Sequence, residues 1–103
     1  MVSIIGAGIT KFGENWNDDL RTLAFNAGIE AIRDSKINPG DIDAVFVSNM
    51  NSSIFTGQEH LGPLVTSLFN LNCPSFRVEG ACASGSLAIN AAYQSLLSNK
   101  YKI

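Results

Sequence analysis

Apolar residues in this chain form short unbroken runs at some places and recur every three to four residues at others. Val2 to Ala7 is a run that ends among glycines, which predicts a buried strand. Leu20, Leu23, Ala24, Ala27, Ala31 and Ile32 make one stripe at helical spacing, which predicts a helix from Asp18 to Ser35. Asn17 is placed to cap that helix, with Asp18 and Asp19 at the positive end of its dipole. Asn38-Pro39-Gly40-Asp41 predicts a turn, because proline fixes φ and the flanking residues tolerate a tight backbone. Ile42 to Ser48 predicts a second strand. Its continuous Ala44-Val45-Phe46-Val47 is the pattern of a strand covered on both faces. Asn49 to Gln58 is small and polar and reads as a loop. Leu61, Leu64, Val65, Leu68 and Phe69 predict a helix over Glu59 to Asn70, with Pro63 acceptable only in its first turn. Ser75 to Glu79 predicts a third strand, and Cys82 to Asn99 an alanine-rich helix.

Strand and helix alternate three times, which is the α/β signature and implies a mostly parallel sheet with right-handed crossovers. Composition agrees: 46% hydrophobic and 16% charged residues describe a globular segment, and 103 residues allow one domain. The net charge of -2 argues against a nucleic-acid partner, which would need a clustered excess of Lys and Arg. No apolar run approaches the roughly 20 residues of a membrane span. The N-terminal residues lack the basic and long apolar regions of a signal peptide, so a cytoplasmic location is expected. Two cysteines and one histidine make neither a disulfide scaffold nor a structural zinc site, and no metal is expected.

The candidate chemistry narrows to one segment. Gly6-Ala7-Gly8-Ile9-Thr10-Lys11 lacks the third glycine and the immediate helix of a dinucleotide fingerprint, and reads as a glycine-rich strand end. His60 stands without a cysteine or carboxylate cluster near it in sequence, and a structural or surface role is expected. Cys73, before Pro74, reads as a small apolar residue, and Glu14, Asp41 and Asp43 as solvated loop and cap carboxylates. Val78-Glu79-Gly80-Ala81-Cys82-Ala83-Ser84-Gly85-Ser86 differs from all of these. It puts a cysteine at the first turn of a helix that follows a strand, where free N–H groups and the positive dipole end favour thiolate. Its neighbours are small enough to admit a substrate, and the Cys82 N–H could help hold an oxyanion. A buried packing cysteine fits the same local pattern, and the residues alone leave both readings open.

Glu79-Gly80-Ala81-Cys82-Ala83-Ser84-Gly85 resembles the nucleophile segment of thiolases. Val2-Ser3-Ile4-Ile5-Gly6 with Thr10-Lys11-Phe12-Gly13 is similar to the first strand and loop of archaeal and sterol-carrier-type thiolases. Ile42 to Met50 resembles their second strand, and Gly57-Gln58-Glu59-His60-Leu61 the opening of their second helix. The resemblance implies a three-layer βαβαβα segment of the thiolase fold, the incomplete N-terminal half of a longer two-half chain. Residues 1–103 would form part of the N-terminal domain, ending where a fourth sheet strand should begin. It implies acyl transfer between coenzyme A thioesters, with Cys82 carrying the acyl group. The substrate would be an acyl-CoA, with no bound cofactor. The family's catalytic histidine, second cysteine and Asn–His oxyanion pair belong to its second half. His60 and Cys73 match none of them, and no coenzyme A-binding residue is recognisable. The isolated chain is therefore expected to be inactive. The resemblance also implies a homo-oligomer formed through the strand at Ser75 to Glu79. Two alternatives remain at this point: a non-catalytic assembly module on the same fold, and a fragment of a ketoacyl-synthase-type condensing enzyme.

Overall fold

The structure, a computed structural model, describes residues 1–103. Its ordered frame runs α1 (Leu20–Ser35), β1 (Val45–Ser48), α2 (Ser52–Thr56), α3 (Leu61–Leu68), β2 (Ser75–Val78) and α4 (Ser84–Leu97), with 3-10 turns at Pro39–Asp41 and Ala81–Ala83.

β1 and β2 form a parallel two-stranded sheet, with Val45 beside Ser75 and Ser48 beside Val78. The helices cover both faces. The Ser75 side chain lies against Gly62 of α3, whereas Phe46 shares a hydrophobic hollow with Ala92 and Leu96 of α4. Ser75 is the partner of Val45, and successive strand residues point to opposite faces, so α3 and α4 sandwich the sheet. This is why Ala44 to Val47 is apolar without alternation. Leu61, Leu64 and Ala88 are the buried hydrophobic residues of this small core. α1 packs on α3 from outside, with Phe25 stacked on Phe69 at 5.3 Å between ring centroids.

Local chemistry accounts for the helix ends. Asp19, not Asn17, caps α1: its carboxylate accepts the Thr22 N–H at 2.8 Å, and the helix starts at Leu20 rather than Asp18. Pro63 occupies the first turn of α3, where a missing N–H costs nothing. The Asn38 side chain accepts the Gly40 N–H and closes the 3-10 turn.

Two expectations fail. Val2 to Ala7 forms no strand, so the sheet has two strands where three were expected. The chain here lies along α1 instead: the Ala7 N–H donates to Asp34 at 3.0 Å, and just beyond the segment the Ile9 N–H donates to Glu30 at 2.8 Å. Gly6 and Gly8 permit this close approach, since a Cβ on Gly6 would come within 2.5 Å of the Ala31 carbonyl. The second failure is the loop at Asn49 to Gln58, which contains the short helix α2. Thr56 Oγ1 donates back to the Ser52 carbonyl, and Gly57 ends the helix at φ 70°.

Candidate functional site

In a parallel α/β sheet, the loops that leave the carboxyl ends of the strands make the usual ligand-binding edge. Here these are Asn49 to Asn51 after β1 and Glu79 to Ala83 after β2. Arg77 of β2 reaches the first of them, donating from Nη2 to the Asn49 carbonyl at 3.4 Å.

Cys82 sits in the second of these loops and is exposed. The sequence placed it in the first turn of the long helix. The structure places it in the 3-10 turn Ala81–Ala83 that leads into α4, which itself begins at Ser84. The difference follows from Ala81, whose φ of 51° is left-handed and separates strand from helix by a sharp reversal. The turn is closed by the Ala83 N–H donating to the Gly80 carbonyl at 3.0 Å. Two side chains complete it. Glu79 accepts the Ala81 N–H. Ser84 Oγ donates to the Ala81 carbonyl at 2.7 Å and accepts the Gly80 N–H at 3.0 Å. The Cys82 N–H has no hydrogen-bond partner and remains available as a donor. The arrangement offers an accessible sulfur and a free amide at the head of a 14-residue helix.

The other candidate residues do not join this group. His60 is exposed before α3, and its ring makes no hydrogen bond; its backbone N–H is held by Gln58 and its carbonyl accepts the Leu64 N–H. Cys73 is half-buried, and burial together with the nearby Asp43 charge pushes its thiol pKa up. Asp43 accepts the Lys102 and Ile103 N–H groups at 2.8 and 3.2 Å. Glu14 accepts the Trp16 indole N–H. Asp41 lies in the 3-10 turn. No three His, Cys, Asp or Glu side chains gather as a metal would require. No helix is long and apolar enough to cross a membrane. The sequence reading missed Ser84 as a functional element and treated it only as one small residue among several. Its position two residues after the cysteine was the available signal.

With this geometry in view, the comparisons with known proteins converge. The sequence matches the family described as thiolase, N-terminal domain, over residues 2–103. The chain belongs to the thiolase family. It is 49% identical over 92 residues to an acetyl-CoA acetyltransferase of Methanocaldococcus jannaschii, covering 88% of this chain and 24% of that one. It is 40% identical over 103 residues to an acetyl-CoA acetyltransferase of Methanothermobacter thermautotrophicus, covering 99% of this chain and 27% of that one. Among solved structures, an acetyl-CoA acetyltransferase from Syntrophomonas wolfei superimposes with a TM-score of 0.82 at 22% identity. That match covers 95% of this chain and 26% of the other and shows the shared α/β fold. The chain thus spans about a quarter of the length of the curated relatives it matches.

Proposed function

We propose that this thiolase-family segment carries the nucleophile of an acyltransferase acting on coenzyme A thioesters, and that Cys82 is that nucleophile. The Cys82 sulfur attacks the thioester carbonyl of an acyl-CoA. The C–S bond to coenzyme A breaks, coenzyme A leaves with the proton that Cys82 gave up, and the acyl group stays on Cys82 as a thioester. The α-carbon of a second acyl-CoA, having given up a proton, then attacks this thioester carbonyl; the bond from the acyl carbon to Cys82 breaks and the sulfur takes a proton. In the thiolytic direction Cys82 attacks the 3-keto carbonyl of a 3-ketoacyl-CoA, and the bond between the α- and β-carbons breaks. The released acyl-CoA takes the Cys82 proton at its α-carbon, and coenzyme A then removes the acyl group from Cys82 and leaves its own thiol proton on the sulfur. The Cys82 N–H is one donor for the carbonyl oxygen as it becomes an oxyanion. The reaction is completed in the cytoplasm by a homo-oligomer, with the base and further oxyanion donors coming from residues beyond these 103.

The observation that carries this reading is the exposed Cys82 with its unpartnered N–H, held by a side-chain-braced turn at the carboxyl end of the sheet. The names of the two archaeal relatives support the same chemistry. The test is to incubate the full-length protein with radiolabelled acetyl-CoA and map the label by peptide mass spectrometry. Acetyl thioester is expected on Cys82 and absent from Cys82→Ala. A protein that binds acetyl-CoA but labels no cysteine would leave the non-catalytic assembly module as the better account.

A further inference from the structure

We propose that Ser84 and Glu79 are positioning residues: together they hold Ala81 in its left-handed conformation and so fix where the Cys82 sulfur points. The proposal rests on the acyl-transfer reading for its purpose, but not for its geometry.

A left-handed alanine is unfavourable, because its Cβ crowds the following carbonyl oxygen, and it persists only where its surroundings over-determine it. At Ala81, with φ of 51°, both backbone polar groups are engaged by side chains. The N–H is taken by Glu79, and the carbonyl accepts the Ser84 hydroxyl as well as the Ser84 backbone N–H. The same hydroxyl also accepts the Gly80 N–H, so one oxygen ties the last residue before the reversal to the reversal itself. Ser84 is only 5% exposed, which leaves water little room to replace the hydroxyl once it is removed. The remaining side chains of the turn are too small to brace it: Ala81 and Ala83 are exposed, and a Cβ at Gly85 would meet nothing within 4 Å. Were Ala81 to relax to an ordinary backbone conformation, the chain would enter α4 at a different angle. Cys82, the next residue, would leave the turn that now aims it.

Ser84→Ala and Glu79→Ala each remove one side of this brace, and Ala81→Gly removes the reason it is needed, since glycine adopts positive φ freely. The measurement, on the full-length protein, is the iodoacetamide alkylation rate of Cys82 relative to Cys73 in the same molecule. Circular dichroism confirms folding. Ser84→Ala is expected to lower the ratio about tenfold, the population change that relief of one strained residue allows. Glu79→Ala is expected to lower it less. Ala81→Gly added to either variant is expected to restore most of the loss, which it would not do for a residue that merely supports the core. An unchanged ratio in folded Ser84→Ala, or no recovery with Ala81→Gly, overturns the proposal. If Ser84→Ala does not fold, Glu79→Ala decides alone, and an unchanged ratio there overturns it. Acetyl-CoA labelling of the wild type, run in parallel, separates the two claims. Loss of acylation with the alkylation pattern intact refutes the acyl-transfer reading only, whereas acylation with unchanged ratios refutes the brace only.

Discussion

Phe46 and Phe76 lie directly opposite each other across the parallel strand pair, with ring centroids 5.0 Å apart and planes 21° from parallel. The pair joins β1 to β2 on the face that α4 covers. It matters more here than in a large sheet, because a two-stranded sheet has no other cross-strand ladder to share the load. Phe46→Ala is expected to destabilise the fold by about 2–3 kcal/mol, less than a fully buried phenylalanine because the site is only half-buried. Urea denaturation followed by circular dichroism checks this. A loss no greater than that of an exposed phenylalanine such as Phe55 would show that the stack contributes little.

The two cysteines should differ in reactivity. Burial and the neighbouring Asp43 charge both raise the Cys73 thiol, so less of it is thiolate near neutral pH, and it is partly shielded as well. Cys82 is exposed. Iodoacetamide at neutral pH is expected to modify Cys82 first. Raising the pH should speed Cys73, and Asp43→Asn should speed it at fixed pH by removing the like charge. Peptide mapping over time measures both rates. Equal rates, or preferential labelling of Cys73, would contradict the assignment of Cys82 as the accessible nucleophile.

A chain limited to these 103 residues should not turn over acetoacetyl-CoA with coenzyme A. Nothing in it is positioned to deprotonate Cys82: the His60 ring is unbonded and exposed, and no side chain donates to or accepts from the sulfur. Positioned proton transfer is worth about 10²- to 10⁴-fold, and missing oxyanion donors cost more. The assay follows loss of the acetoacetyl-CoA absorbance. Robust turnover by this chain would require a self-sufficient mechanism and would refute the division of roles proposed above.

Acid should loosen the start of α1. The Thr22 N–H bonds to the Asp19 carboxylate and holds its pKa below the usual 3.8. For a carboxyl whose folded pKa is depressed, the stabilisation is complete above the unfolded value. It is lost as pH falls from there through the folded pKa. Helix content near Leu20 is therefore expected to drop only below about pH 4. Asp19→Asn keeps a capping oxygen and should flatten that dependence, whereas Asp19→Ala should weaken the helix at every pH. Amide exchange at Thr22 and Leu23 reads the effect. A wild-type profile identical to that of Asp19→Asn would show that the carboxylate charge is irrelevant.

Much of this was legible in the sequence, and the exceptions share a cause. The stripe from Leu20 to Ile32 and the run from Ala44 to Val47 revealed their elements, because burial on one helix face or both sheet faces leaves a periodicity that cannot be disguised. Val2 to Ala7 has the composition of a strand, but a strand also needs a neighbour. The Ala7 N–H found Asp34 instead, as the Ile9 N–H just after it found Glu30, and composition says nothing about that choice. α2 escaped notice because five residues are too few to show a period. Cys82 stood out through its motif, yet the left-handed Ala81 could not, since alanine is among the last residues one would assign positive φ. Ser84 was hidden for the same reason: its importance lies in a hydrogen-bonded reversal that only the folded chain displays.

The outer edge of β2 should pair with a second copy of the chain. β2 has β1 on one side only, so alternate N–H and C=O groups along its other side are unpaired. The register says which. The Val45 N–H donates to the Pro74 carbonyl, and in a parallel pair the bonding residues alternate. Phe76 and Val78 therefore turn their N–H groups toward β1, while Ser75, Arg77 and Glu79 turn theirs outward. A proline at Val78 would break the sheet itself, whereas a proline at Arg77 removes only an outward donor, which an edge strand tolerates. Pairing of like edges across a two-fold axis is self-complementary and closes at two copies. The full-length wild type is expected to run as a dimer or a multiple of it in multi-angle light scattering. Arg77→Pro is expected to shift it toward monomer with its circular dichroism spectrum unchanged. A wild type that stays monomeric at high micromolar concentration would mean that another segment already covers the edge.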